Sequence, residues 1–274
     1  MKIDGIKFDR LFLESGLDLR LSPYVTVKHP KIADILMNQQ NSEDIYWHYV
    51  SIVLSDPYQN MVLLHDEYGI DYEEVDSFDV FCLRWDMLDR HYRDEKEKYD
   101  AAGYHPLYEV AGALCFFLGE HAFALRQDGD ERKLVDPDVP GYEIGRSDFN
   151  TMTAFIQLIN GISHAGRINP ADKNAKAFLI EQMRDEIKRA QRKRKRGWVD
   201  DSQMDTIGNM VSTVLHGGNG SLSPFNFMNA SIYQIVSAYK LIYKKFHADH
   251  LLGGVYAGTV KSESINNTSM DWAV

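Results

Sequence analysis

Seven positive side chains crowd into nine residues: Lys188, Arg189, Arg192, Lys193, Arg194, Lys195 and Arg196, with only Ala190 and Gln191 among them. Such density can neutralise phosphates or meet an acidic partner. The run follows Glu181, Asp185 and Glu186 and closes a long helical pattern, so its cations also sit where a helix dipole favours them. A solvated helix end or a contact for an acidic partner therefore ranks first, and nucleic acid second. Apart from Trp198, the run lacks the interleaved aromatics of a single-strand platform.

Other reactive residue types do not form a pattern. His247 and His250 share a helical face with Asp249 between them, but zinc needs three or four converging ligands and no HExxH context is present. Asp128-Gly-Asp130 and Asp136-Pro-Asp138 are acidic turns without the EF-hand ladder. No P-loop, GxSxG elbow or CxxC spacing occurs, and Gly217-Gly-Asn-Gly220 reads as a helix-to-helix loop. Cys82 and Cys115 stand in apolar helical stretches as small core residues. No catalytic, cofactor-binding or metal-ligating residue is assigned, and the chain is expected not to be an enzyme.

The chain has 274 residues, 44% of them hydrophobic, with 30 basic and 40 acidic side chains and a net charge of −10. That is a globular composition, long enough for one or two domains. The negative balance opposes general attraction to nucleic acid or an anionic membrane, so any such role must be local. Charges scattered from Lys2 to Arg10 leave no apolar core for a secretion signal, and two isolated cysteines suit a reducing compartment. The longest stretch free of Asp, Glu, Lys and Arg, from Thr206 to Tyr239, is broken by glycines and Pro224, which rules it out as a membrane span.

The elements that would position these residues are mostly helical. The first thirty residues alternate about Glu14-Ser-Gly16 and predict a β-hairpin, with Leu11 to Leu13 on one arm and Tyr24 to Val27 on the other. Helices are expected from Pro30, from Ser42 to before Pro57, from Tyr58 to Tyr68, and from an Asp76 cap to Asp89. The charged stretch Arg90 to Ala102 is a helix extension or loop, and Leu107 to Leu118 is a buried helix. A central hairpin should span Ala122 to Val135, around a turn longer than two residues. Later helices should start at Asp148, run from Asp172 to Arg196, start at Asp200 or Ser202, and start at Asn229 or Ser231. Gly253 to Val260 reads as a strand or a helix end, and Ser262 onward as weakly ordered. The fold class is mainly α with a minor β component, an N-terminal hairpin and a small central one. Residues 1–160 form one part and 172–274 another, or the two make one domain.

Several stretches together resemble proteins from the tail-morphogenesis region of phages and prophages of Gram-positive bacteria, among them tail assembly chaperones. They are Leu21-Ser-Pro-Tyr-Val-Thr-Val-Lys-His-Pro30 with Tyr46-Trp-His-Tyr-Val-Ser-Ile52, Gly69-Ile-Asp-Tyr-Glu-Glu-Val-Asp-Ser-Phe-Asp-Val-Phe81, and Ser231-Ile-Tyr-Gln-Ile-Val236 with Leu251-Leu-Gly-Gly-Val-Tyr-Ala-Gly-Thr-Val260. The resemblance implies a non-enzymatic role in the host cytoplasm, or in the virion. It implies binding of the helical tape measure protein and assistance to tail tube subunits, without cofactor or membrane. The chain is longer than typical tail assembly chaperones, which leaves a structural tail component as the alternative.

Overall fold

Helix starts are set by side chains that cap otherwise orphaned backbone donors. The computed structural model describes residues 2–3, 5–37, 42–162, 170–195, 206–217, 223 and 226–259. Among them the helices are α1 (Arg10–Ser15), α2 (Ile32–Leu36), α3 (Ser42–Leu54), α4 (Met61–Leu63), α5 (Ser77–Asp94), α6 (Lys96–Ala102), α7 (Leu107–Leu118), α8 (Arg146–Ile159), α9 (Lys173–Lys195), α10 (Ile207–Gly217) and α11 (Ile232–Tyr256). The strands are short: β1 (Lys2–Ile3) pairs β2 (Ile6–Lys7), β3 (Leu19–Arg20) pairs β4 (Thr26–Val27), and β5 (Ala124–Asp128), β6 (Glu131–Val135) and β7 (Glu143–Ile144) form an antiparallel sheet in that order. The chain is mainly α with a minor β component.

Asp76 caps α5, accepting from the Asp79 N–H at 3.0 Å, while Asp79 accepts from the Asp76 N–H at 3.1 Å. This reciprocal capping box fixes the start that the sequence predicts. Ser231 and Gln234 do the same for α11. α4 continues into a π-helical turn, Leu64–Tyr68, which Gly69 ends at φ +63°.

Three expectations need correction. Leu11 to Leu13 are helical, because Asp9 accepts from Leu11 N–H at 2.7 Å and starts α1, and the β content near the amino terminus divides into two two-residue ladders. The central turn is a two-residue one, Gly129-Asp130, made possible by Gly129 at φ +62°. α8 begins at Arg146 after an extended Gly145, which leaves Asp148 inside the first turn near the positive end of the dipole. Thr206 precedes α10 as a non-helical residue whose hydroxyl accepts from Asn209 N–H at 3.1 Å; residues 200–205 lie outside the described residues. Arg90 to Ala102 proves to be the end of α5 followed by α6, and Gly253 to Tyr256 the last turn of α11. The expectation for Ser262 onward also lies outside the described residues.

The main core gathers α3, α5, α7, α8 and the first turns of α11 around Tyr46, Phe81, Phe117, Phe149 and Phe155, all buried. Burial of such side chains stabilises by about 1.5–3 kcal/mol each. Residues on both sides of the 160–172 stretch enter this core, among them Ile159, Ile207 and Ile232. At the end of α8, a side chain on Gly161 would place its Cβ 2.7 Å from Val236 Cγ1 of α11, at φ +64°, so only glycine allows that approach. A smaller cluster of Met61, Leu64, Tyr72, Val80, Leu179 and Ile180 holds α9 against α4 and α5.

Candidate partner-binding surface

α6 buries no residue, so apolar core contacts do not account for its position. Its Tyr99 sits in a corner with His91 and Tyr92 at the end of α5, Tyr104 and His105 in the following loop, and Tyr108 on α7. The Tyr99 ring centroid lies 5.6 Å from His91, 6.2 Å from Tyr92 and 6.1 Å from Tyr104. Tyr92 and His105 approach to 3.9 Å, and Tyr108 completes the set at 5.7 Å from His105 and 6.3 Å from Tyr104. Aromatic pairs contribute roughly 0.5–1.5 kcal/mol beyond area burial. Together with the hydrogen bond from Tyr92 to Asp100, they tie α6 to its neighbours.

Unlike the core aromatics, part of this group faces water: Tyr104 is 40% exposed and Tyr108 64%, while Tyr92, Tyr99 and His105 are half-buried. Polar partners hold the rings in place. Tyr92 donates to Asp100 at 2.8 Å, and Tyr104 donates to Glu109 at 3.1 Å, which also meets His48 Nε2 at 3.3 Å. Lys96 and Lys98 lie 5.8 and 5.7 Å from the ring centroids of Tyr92 and Tyr99. Hydrogen bonds from Lys96 and Tyr92 hold the Asp100 carboxyl below the usual carboxylate range, and Lys98 does so for Glu95. Large rigid rings with polar tips lose little side-chain entropy on contact, and tyrosine is enriched at interface hot spots. Along the sequence this stretch stands out by its charges, and its aromatics are too widely spaced to form a pattern. Tyr92, Tyr99, Tyr104 and Tyr108 were legible as a signal only once α5, α6 and α7 were known to meet.

The basic run is placed differently. Lys176 pairs with Asp71 at 2.7 Å and with Glu73, and Arg184 pairs with Asp66 at 2.6 Å, fastening the first half of α9. Beyond Arg184 the helix continues with Lys188, Arg189 and Arg192 exposed and, among the described residues, without an ion pair. Lys193, Arg194 and Lys195 continue the helical backbone, and Arg196 lies outside the described residues.

A groove of about 620 Å³ opens between α5 and the β5–β6 turn. Arg146 at the start of α8 contacts Asp79 through both guanidinium nitrogens, at 2.7 and 2.6 Å, and Asp76 at 2.8 Å. Partial burial would raise the Asp79 carboxyl, but Arg146 and the Asp76 N–H outweigh it and the net shift is downward. Arg132 makes the equivalent bidentate contact to Asp86, at 2.8 and 2.7 Å. Both arginines are thus already neutralised.

The remaining reactive residue types are either engaged in packing or dispersed on the surface. Cys115 Sγ lies 4.0 Å from the His121 carbonyl oxygen, while His121 Nδ1 meets the buried Asp136 carboxylate at 2.6 Å and joins α7 to the sheet. His247, Asp249 and His250 occupy exposed positions of α11. Among the described residues no group of three His, Cys, Asp or Glu side chains is arranged to hold a metal ion, and no helix is long and apolar enough to cross a membrane.

Residues 200–274 match the family described as the YomV second domain, a name taken from a Bacillus prophage gene. The similarity is to a phage-related domain. No curated protein and no solved structure matches the chain. The described part of the YomV-like segment comprises α10 and α11, and it is joined to the rest by Ile232 N–H donating to Pro30 O at 2.9 Å and Ile32 N–H donating to Ala230 O at 3.0 Å.

Proposed function

We propose that this protein is a non-enzymatic factor of phage tail morphogenesis, acting in the host cytoplasm as an assembly chaperone for the helical tape measure protein. The observation that carries this reading is the corner of Tyr92, Tyr99, Tyr104, His105 and Tyr108, whose rings pack against one another in tilted and edge-on pairs and which presents Tyr104 and Tyr108 to solvent. An amphipathic helix presents apolar anchors at i, i+3, i+4 and i+7, and a rigid aromatic surface accepts them. The YomV-like segment supports the phage setting, and the basic end of α9 supplies steering toward an acidic partner.

The test is co-expression with the tape measure protein and recovery of the complex. The parent chain should keep the client soluble and captured, and Tyr99→Ala with Tyr108→Ala should reduce capture by about tenfold or more, the scale of an interface hot spot. A client that stays insoluble, or capture that ignores both substitutions, overturns the proposal. A second reading, nucleic-acid binding through Lys188, Arg189 and Arg192, is favoured by the absence of ion pairs on these cations among the described residues. In that case replacing them with Gln flattens the salt dependence of DNA or RNA retention.

A further inference from the structure

The groove beside α5 and the free end of α9 are complementary in charge and in chemistry, yet the groove adjoins the start of α9 and the basic residues close it. The floor is apolar, formed by Ile70, Val75, Phe78 and Leu83. Glu74 stands on its rim from one side, and Asp130 and Glu131 from the β5–β6 turn on the other. With Asp76, Asp79 and Asp86 there are six carboxylates around the groove against the two guanidiniums of Arg132 and Arg146, a local charge of minus four. The two arginines are engaged by Asp76, Asp79 and Asp86, so Glu74, Asp130 and Glu131, all exposed, remain to receive cations. Such a site selects a segment with an apolar anchor followed by positive charge.

The far half of α9 has that composition. Ile187, 38% exposed, precedes Lys188, Arg189 and Arg192. Lys188 and Arg192 are four residues apart and share a helix face. The same chain cannot bring them to its own groove. Lys176 is held next to the rim by Asp71 and Glu73, whereas Arg184 is held by Asp66, so α9 runs away from the rim as it proceeds. At 1.5 Å per residue, Arg192 lies roughly 24 Å along the axis from Lys176.

We infer that the occupant of the groove is the basic end of α9 from a second copy of this chain, with Ile187 on the apolar floor and Lys188, Arg189 and Arg192 on the carboxylate rim. The contact is head-to-tail, so each copy offers one free arm and one free groove, and repetition builds a ring or a filament. It is independent of the tyrosine corner, which stays available to a client.

Sedimentation or light scattering on the full chain tests this at about 0.01 M and about 1 M salt, between which the Debye length falls from about 30 Å to about 3 Å. The parent should form multiples of the 31.5 kDa mass at low salt and dissociate at high salt. Lys188→Glu, Arg189→Glu and Arg192→Glu together should give a monomer, as should Glu74→Gln, Asp130→Asn and Glu131→Gln; all six positions are exposed, and circular dichroism should report an unchanged fold. Mixing the two variants restores one intact arm facing one intact groove, and should give a heterodimer and nothing larger. A parent that is monomeric at low salt, association that survives either triple substitution, or a mixture that stays monomeric overturns the inference. So does a monomer that loses polynucleotide retention with the arm substitutions, since the cations then serve phosphate.

Discussion

Glu43 on the first turn of α3 accepts the backbone N–H of Ile207 at 2.6 Å and lies 3.4 Å from that of Gly208. A carboxylate 164 residues away in sequence caps α10, at the positive end of its dipole, and links the YomV-like segment to the first part of the chain. Side-chain caps contribute about 0.5–2 kcal/mol. Glu43→Ala should destabilise by about 1 kcal/mol and raise amide exchange at Ile207 and Gly208, whereas Glu43→Gln, which keeps an acceptor, should lose less. Equal exchange in all three proteins would show that the cap does not hold α10.

Tyr46 and Asn160 form a buried pair. Tyr46 donates to Asn160 Oδ1 at 2.7 Å, and Asn160 Nδ2 donates to Ile156 O at 2.8 Å, which secures the end of α8. Burial pushes the Tyr46 hydroxyl well above the usual phenol value, against a smaller opposing effect of Asn160. Tyr46→Phe strands a buried acceptor, which costs about 1–3 kcal/mol. Urea unfolding should show a lower midpoint at unchanged slope; an unchanged midpoint would contradict the geometry.

His29 is buried at 3% exposure between Phe155 at 5.5 Å and Tyr233 at 6.5 Å, and neither ring nitrogen has a hydrogen-bond partner among the described residues. Burial lowers its pKa below the ordinary 6.5, with the Leu17 backbone and the Asp18 carboxylate opposing in part. The unfolded chain then binds a proton that the folded one refuses. The stability involved is present above pH 6.5 and declines as pH falls from there toward the lower folded value, by at most about 1.4 kcal/mol per pH unit. Comparing parent with His29→Leu across pH 8 to 5 isolates this group from the other histidines. The stability of the parent relative to the variant should fall in acid, whichever of the two is the more stable at pH 8, and a constant difference would refute the assignment.

Cys82 faces the apolar side of α5 and is buried, and desolvation pushes its thiol up to about 11. At pH 8 only about one molecule in a thousand then carries the thiolate that alkylating reagents attack. Mass spectrometry after a short iodoacetamide exposure should find Cys82 unmodified until denaturant is added. Rapid labelling in the native state would mean that this face of α5 opens readily.

Elements with local causes were readable from sequence. The Asp76 cap, the stop at Gly69, the apolar run Leu107 to Leu118 and a start at Asn229 or Ser231, which the structure places at Ser231, each depend on residues within a few positions of one another. Leu11 to Leu13 misled because alternation over three residues does not distinguish a short strand from a single helical turn, and the decision fell to the Asp9 side chain. The basic run was equally visible as a cluster, since its charges are contiguous in the chain.

By itself, the sequence determined the mainly helical class, the cluster of cations closing α9 and the likeness of residues 200–274 to a phage-related domain, all of which are properties of the chain read in order. Tertiary structure alone decided that Tyr92, Tyr99, Tyr104 and Tyr108 share one exposed corner, that Glu43 caps α10, and that Arg132 and Arg146 are neutralised beside an acidic groove. Those relations depend on the angle and distance at which separate helices pack, and packing is set by the summed shape of buried side chains spread over the whole chain.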